Sequence, residues 1–160
     1  MEVMNGATLS PGNSVGIMTI DGRELDAALA TLTMKSGSTL LMEIAGPAPT
    51  DNDILNVLGT FVLEEGAIIQ IALAEGSSLV DGDIFEAVIT ADGIDEDTIF
   101  NALRSNDFTG LTVIPNGTTF TITGAYVDNN VPEPSTWALL LLGTAGLFWL
   151  RRKNTLQKNS

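Results

Sequence analysis

The sequence contains no cysteine and no histidine. The first absence excludes disulfides and thiolate metal sites, and the second excludes every imidazole-based catalytic or zinc arrangement. No Ser-His-Asp or Cys-His mechanism is open to this chain, whatever its fold. Aromatics are scarce: one Tyr, six Phe and two Trp. Both tryptophans, Trp137 and Trp149, fall in a terminal apolar run, so platforms for stacking sugar rings are nearly absent elsewhere. Bases are scarce too, seven Lys and Arg against 20 Asp and Glu. Residues 1–16, MEVMNGATLSPGNSVG, hold no base and no apolar run, so the n- and h-regions of a secretory signal are missing there. The body reads as if it begins in the middle of something, through a start placed too late in a longer gene or as a remnant.

The charge is divided unevenly. Residues 1–130 carry 19 acids against Arg23, Lys35 and Arg104, a net of about −16; residues 131–160 carry Glu133 against Arg151, Arg152, Lys153 and Lys158, about +3. So acidic a body repels phosphate backbones, which argues against nucleic acid as a partner. The 160 residues leave room for one modest domain and the basic tail.

That tail has three parts in fixed order. Val131, Pro132, Glu133, Pro134, Ser135 and Thr136 come first, and the two prolines make this a stiff, extended, accessible segment. Residues 137–150 follow, apolar on every face, without the polar stripe of a soluble amphipathic helix. At about 1.5 Å rise per residue this run is roughly 21 Å long, short against a hydrocarbon core of roughly 30 Å. Ser135, Thr136, the tryptophans and snorkelling arginines make up part of the mismatch. Arg151, Arg152 and Lys153 then stop it, placing the C-terminus in the cytoplasm and the acidic body outside. A buried core helix is the alternative, but such a helix rarely ends in three consecutive cations followed only by a polar tail.

Proline-acid-proline, short apolar helix and basic stop, in that order, resemble the PEP-CTERM sorting signal of Gram-negative bacterial surface proteins. A sortase-type LPxTG signal shares the layout, but no Thr-Gly follows Pro132 here. The resemblance implies recognition near Val131–Thr136 by an exosortase, a membrane peptidase-transpeptidase. It also implies a surface or matrix destination and an association with exopolysaccharide and biofilm. The expected organisation is an ectodomain over residues 1–127, a linker with the motif over 128–136, a transmembrane helix over 137–150 and a cytoplasmic tail over 151–160. The expected partners are the exosortase, the lipid bilayer and an exopolysaccharide.

In the body, short runs rich in Ile, Leu, Val and Thr recur every 8–15 residues between Gly, Asp, Asn and Ser clusters. That is the cadence of an all-β domain. Leu40, Met42 and Ile44 fall on one face and Thr39 and Glu43 on the other, which predicts one inward face. Further strands are expected over residues 15–20, 53–57, 59–63, 67–73 and 83–90. The order of Leu9 to Gly16, Gly37 to Ile44 and Asp53 to Gly59 resembles the end of autotransporter passenger domains, which implies a parallel β-helix. Coils of roughly 20–25 residues, about five or six in number, are expected on that basis. An antiparallel β-sandwich has a similar cadence and competes with it.

Three stretches need separate treatment. Residues 21–36 carry Leu25, Ala28, Leu29 and Leu32 at helical spacing, but a strand from Ala30 to Met34 is preferred. Asp92, Asp95, Glu96 and Asp97 suggest a calcium loop, yet their spacing does not fit one. A short helix with acids at its start and Arg104 at its end is favoured. Pro115-Asn116-Gly117 between alternating runs predicts a hairpin that closes the solenoid. Asn116-Gly117-Thr118 is also formally a glycosylation sequon, which the turn explains sufficiently.

The expected function is structural or adhesive, with no enzyme activity, no cofactor and no metal. A polysaccharide-binding or polysaccharide-cleaving β-helix is the alternative. It would need two carboxylates facing one sugar, with Asp51 and Asp53 as the pair to try.

Overall fold

A four-residue turn with glycine third recurs along the chain: Met4-Asn5-Gly6-Ala7, Lys35-Ser36-Gly37-Ser38 and Glu64-Glu65-Gly66-Ala67. Each is closed by a bond from its fourth amide to its first carbonyl, at 2.9 Å in all three. The glycines take φ of 76, 76 and 89°, a left-handed conformation costly for any residue with a Cβ. The turns also stack, since Gly6 N donates to Gly37 O and Gly37 N to Gly66 O, each at 3.0 Å. In the computed structural model, which describes residues 1–21 and 30–129, this ladder forms one corner of a parallel β-solenoid.

The first coil holds β1 (Glu2–Val3), β2 (Thr8–Leu9) and β3 (Ile17–Ile20). The second begins with β4 (Ala30–Met34) and β5 (Thr39–Ile44), then passes a short 3-10 turn (Pro49–Asp51) into β6 (Ile54–Leu63). The third continues through β7 (Ile68–Leu73) and β8 (Ile84–Asp92). Helix α1 (Glu96–Ala102), β9 (Leu103–Arg104) and the pair β10 (Phe108–Asn116) and β11 (Thr119–Tyr126) follow the third coil. On one face β1, β4 and the second half of β6 pair in parallel. On the next lie β2, β5, β7 and β9. On the third lie β3, the first half of β6 and β8. These strands lie within the unit Met1–Val127.

The parallel solenoid is as the sequence implies, but the coil length is not. The register steps from Val3 to Met34 and on to Leu63, about 30 residues a coil rather than 20–25, so there are about three turns rather than five or six. Each coil uses three strands and two inner corners, so a cluster of turn residues need not end a coil. The runs expected at 53–57 and 59–63 merge into one strand, β6, that begins at Ile54 and spans two faces.

Alternation builds the core. Leu40, Met42 and Ile44 are wholly buried while Leu41 and Glu43 point outwards. Leu40 sits over Ile69 and Ile69 over Leu103, an aliphatic column down the second face. Burying each such side chain contributes about 1.5–3 kcal/mol. Leu32, Met34, Phe61, Leu55 and Ile89 fill the remaining sides, all at 0% exposure.

The strand preferred over Ala30 to Met34 is β4, and the hairpin is present. Its turn lies one residue later than expected: Asn116 pairs with Thr119, so Gly117 and Thr118 are the central residues. Gly117 has φ 65°, which suits the first central position of a II′ turn. β11 pairs antiparallel with β8 and covers its edge. β10 is left outermost, and Pro115 lies on this edge strand, where its missing amide costs no ladder bond. Phe108 packs on Phe85 and Tyr126, with ring centroids 4.6 and 5.8 Å away. Beyond the third coil α1 takes the place of a strand, burying Ile99 and Ala102.

Candidate functional site

The most completely bonded polar site is the corner that leads into β6. Asn52 and Asp53 are 1% and 0% exposed, and burial of such groups is tolerated only when they are bonded. The Asn52 amide oxygen accepts from Ala45 N at 3.0 Å and Gly46 N at 3.2 Å. Its nitrogen donates to Ala48 O at 2.9 Å and Glu86 O at 2.8 Å. Asp53 Oδ1 accepts from Gly16 N at 2.6 Å, and Oδ2 from Glu43 N at 2.8 Å. Two neighbouring side chains thus tie Gly16, Glu43 and Glu86 of three successive layers. Desolvation pushes the Asp53 carboxyl above its ordinary range, against the opposing pull of the two amides. Asp51 is exposed while Asp53 is spent on backbone amides. The two acids therefore do not face a common ligand as a glycosidase pair must.

The turn ladder carries the charged contacts. Lys35 Nζ lies 2.8 Å from Glu64 Oε1 and 3.4 Å from Glu2 Oε1, joining the three coils at one corner. Its bond to Lys35 holds the Glu64 carboxyl below the usual range and holds the Lys35 amine above its own. A shallow groove of about 430 Å³ opens between this corner and α1, lined in part by Glu64, Thr98, Asn101 and Arg104. Of its charged side chains, Glu64, Glu65 and Arg104, Glu64 is bonded to Lys35 and Arg104 Nη1 donates to Asn101 O at 2.9 Å and Leu103 O at 2.6 Å.

The acidic stretch before α1 is a helix start, as favoured above. Asp95 is the N-cap and accepts from Thr98 N at 2.7 Å, which holds its carboxyl below the usual range. Glu96 and Asp97 occupy the first turn, beside the positive end of the helix. Among the described residues no group of three acids, histidines or cysteines is placed to hold a metal ion.

The third face carries an outward pattern that depends on long-range register and was not read from the sequence. Thr19 pairs with Asn56, Asn56 with Thr90, Thr90 with Thr119, and Thr119 with Asn116. This is an uninterrupted row of hydroxyls and amides across five strands. Thr90 Oγ1 and Thr119 Oγ1 lie 3.4 Å apart within it. Two residues along each strand runs a second row, Ile17, Ile54, Val88, Thr121 and Ile114. Ile17 is 68% and Ile114 54% exposed.

The sequence-predicted sorting residues Val131, Pro132, Glu133, Pro134, Ser135 and Thr136, and the stop Arg151, Arg152 and Lys153, lie outside the described residues. So does the apolar run 137–150; among the described residues no helix is long and apolar enough to cross a membrane. At the level of sequence, a family model described as the PEP-CTERM protein-sorting motif matches residues 130–153. The match takes in the proline-acid-proline segment, the apolar run and all three cations. No curated protein matches the chain. The chain thus carries the PEP-CTERM sorting motif behind a β-solenoid body.

Proposed function

We propose that this is an exported surface protein, delivered by its C-terminal segment and structural or adhesive in its body. The observation that carries the proposal is the match of residues 130–153 to the sorting motif, which implies processing by an exosortase, a membrane enzyme. In this scheme Val131 to Thr136 are read by the exosortase, and the apolar run 137–150 holds them at the bilayer surface. Arg151, Arg152 and Lys153 stop translocation with the C-terminus in the cytoplasm. The body then travels to the cell surface or the extracellular matrix of a Gram-negative host, in an exopolysaccharide or biofilm setting. A parallel solenoid suits such a role, because ladder bonds and a continuous core make a rigid module that needs no disulfide. A non-enzymatic body is consistent with the lack of histidine and with the structural use of Asp53.

The test is intact-mass measurement and membrane fractionation in an exosortase-bearing host, for the wild type and P132A/E133A/P134A. The wild type should lose its C-terminal mass and leave the inner membrane, while the triple variant stays full length and membrane-bound. Full-length mass for both proteins in the same membrane fraction would show the sorting scheme to be wrong.

A further inference from the structure

We propose that the third face of the solenoid binds a neutral glycan chain laid across the strands. Its contacts are the row Thr19, Asn56, Thr90, Thr119 and Asn116 and the apolar row beside it. This rests on the surface-protein reading for its biological setting but not for its chemistry.

A sugar ring has an apolar C–H surface and an edge of hydroxyls. The two rows offer the matching pair. Ile17, Ile54, Val88 and Ile114, with Thr121 between the last two, form a mainly apolar track, and the Thr and Asn side chains beside it both donate and accept hydrogen bonds. Row and track are two residues apart on every strand, about 7 Å, so one ring can span both. The rows repeat at the strand spacing of about 4.8 Å, which presents a periodic polymer with similar contacts at each strand.

Charge and area choose among occupants. Neither row contains a charged side chain, although residues 1–130 carry 19 acids against three bases. An anionic polymer would meet the repulsion of the whole body, with Glu86 and Asp92 exposed at the margins on β8. A neutral one would not. A strip of four strand steps by roughly 13 Å covers about 250 Å². That is well below the roughly 800 Å² per partner that a stable protein interface needs. Pairing with a second copy would also bury the hydroxyl row against another hydroxyl row with imperfect partners.

The test is affinity electrophoresis of the full-length chain in detergent micelles. The gels contain dextran, pullulan or galactomannan as neutral probes, or alginate as an anionic one. At least one neutral glycan should retard the wild type, and alginate should not. T90V/T119V removes two hydroxyls and keeps β-branched shape, and should weaken the retardation by about tenfold, the equivalent of two modest hydrogen bonds. T90E/T119E should abolish it, while T31E, on the first face, should leave it intact; thermal melting confirms that each variant is folded. No retardation by any neutral probe would overturn the proposal. So would unchanged retardation of both double variants, retardation by alginate alone, or a concentration-dependent dimer that T90E/T119E dissolves. Because the purified chain is assayed without processing, an uncleaved tail with intact glycan retardation would sink only the sorting scheme. Normal processing without retardation would sink only this proposal.

Discussion

The Asp53 carboxylate accepts the Gly16 amide at 2.6 Å across 37 residues of chain. Its other oxygen takes the Glu43 amide at 2.8 Å, so one buried side chain satisfies a donor in each of two coils. Asp53→Asn keeps the volume but turns one acceptor into a donor, which leaves one amide unpaired in a site with 0% exposure. An unpaired buried donor costs about 1–3 kcal/mol. Asp53→Asn should therefore lower the unfolding free energy measured in urea by that amount, and Asp53→Ala should lower it further. An unchanged midpoint for Asp53→Ala would mean that the corner does not hold the coils together.

The same residue sets a pH dependence of unusual sign. Burial raises the Asp53 carboxyl above the ordinary value of 3.8, so the native state holds this proton more tightly than the unfolded chain does. Stability from this group therefore falls as pH rises from the ordinary value through the native one. Glu64 and Asp95 behave oppositely. Their carboxyls lie below the usual range, and their contributions fade as pH drops through those lowered values. Urea midpoints for the wild type and Asp53→Asn from about pH 3 to about pH 7 separate the two effects. The margin of the wild type over the variant should be widest in acid and shrink towards neutrality. A margin that grows with pH would show that the two amides outweigh desolvation.

Local chemistry made much of this fold legible. Alternation in Leu40, Met42 and Ile44, the Asn116-Gly117 hairpin signal and the acids before α1 are all properties of a few adjacent residues. The sorting tail is legible for the same reason, since its meaning lies in the order of residues 131–153. Pairing partners are a different matter. Gly6, Gly37 and Gly66 do recur about 30 residues apart, but Ile17, Ile54 and Val88 on the third face are 37 and then 34 apart. Unequal corners blur the period, and the short-range pattern is the same whichever strand lies alongside. The Thr and Asn row is more hidden still. A one-residue slip in any strand would turn its members inwards.

Ser38 is the one buried side-chain oxygen without a hydrogen-bond partner among the described residues. Its equivalents in the stacked turns, Ala7 and Ala67, manage without a hydroxyl. Ser38→Ala removes a desolvated polar atom and loses no bond. It should therefore leave stability unchanged or raise it by up to about 1 kcal/mol, read as an upward shift in melting temperature. A clear loss of stability would mean that the hydroxyl has a partner, such as an ordered water in the corner.

The three turn glycines should not respond alike to substitution, although Gly6 and Gly37 share the same φ of 76°. At Gly6 a Cβ would meet nothing within 4 Å, so Gly6→Ala isolates the backbone penalty of about 1–2 kcal/mol for the left-handed conformation. At Gly37 the Cβ would lie 2.9 Å from both amide atoms of Asn5, and at Gly66 it would lie 2.7 Å from Ser36 Oγ. In both cases the obstacle is a side chain of the turn one coil earlier, which must move while the ladder bond between the turns is kept. Gly37→Ala and Gly66→Ala should therefore cost more than Gly6→Ala. Combining Gly37→Ala with Asn5→Ala should recover the excess and return the cost to that of Gly6→Ala. The check is a set of urea midpoints for the four variants. If the double variant is no more stable than Gly37→Ala alone, the turns stack through backbone contacts only, and Asn5 has no part in their spacing.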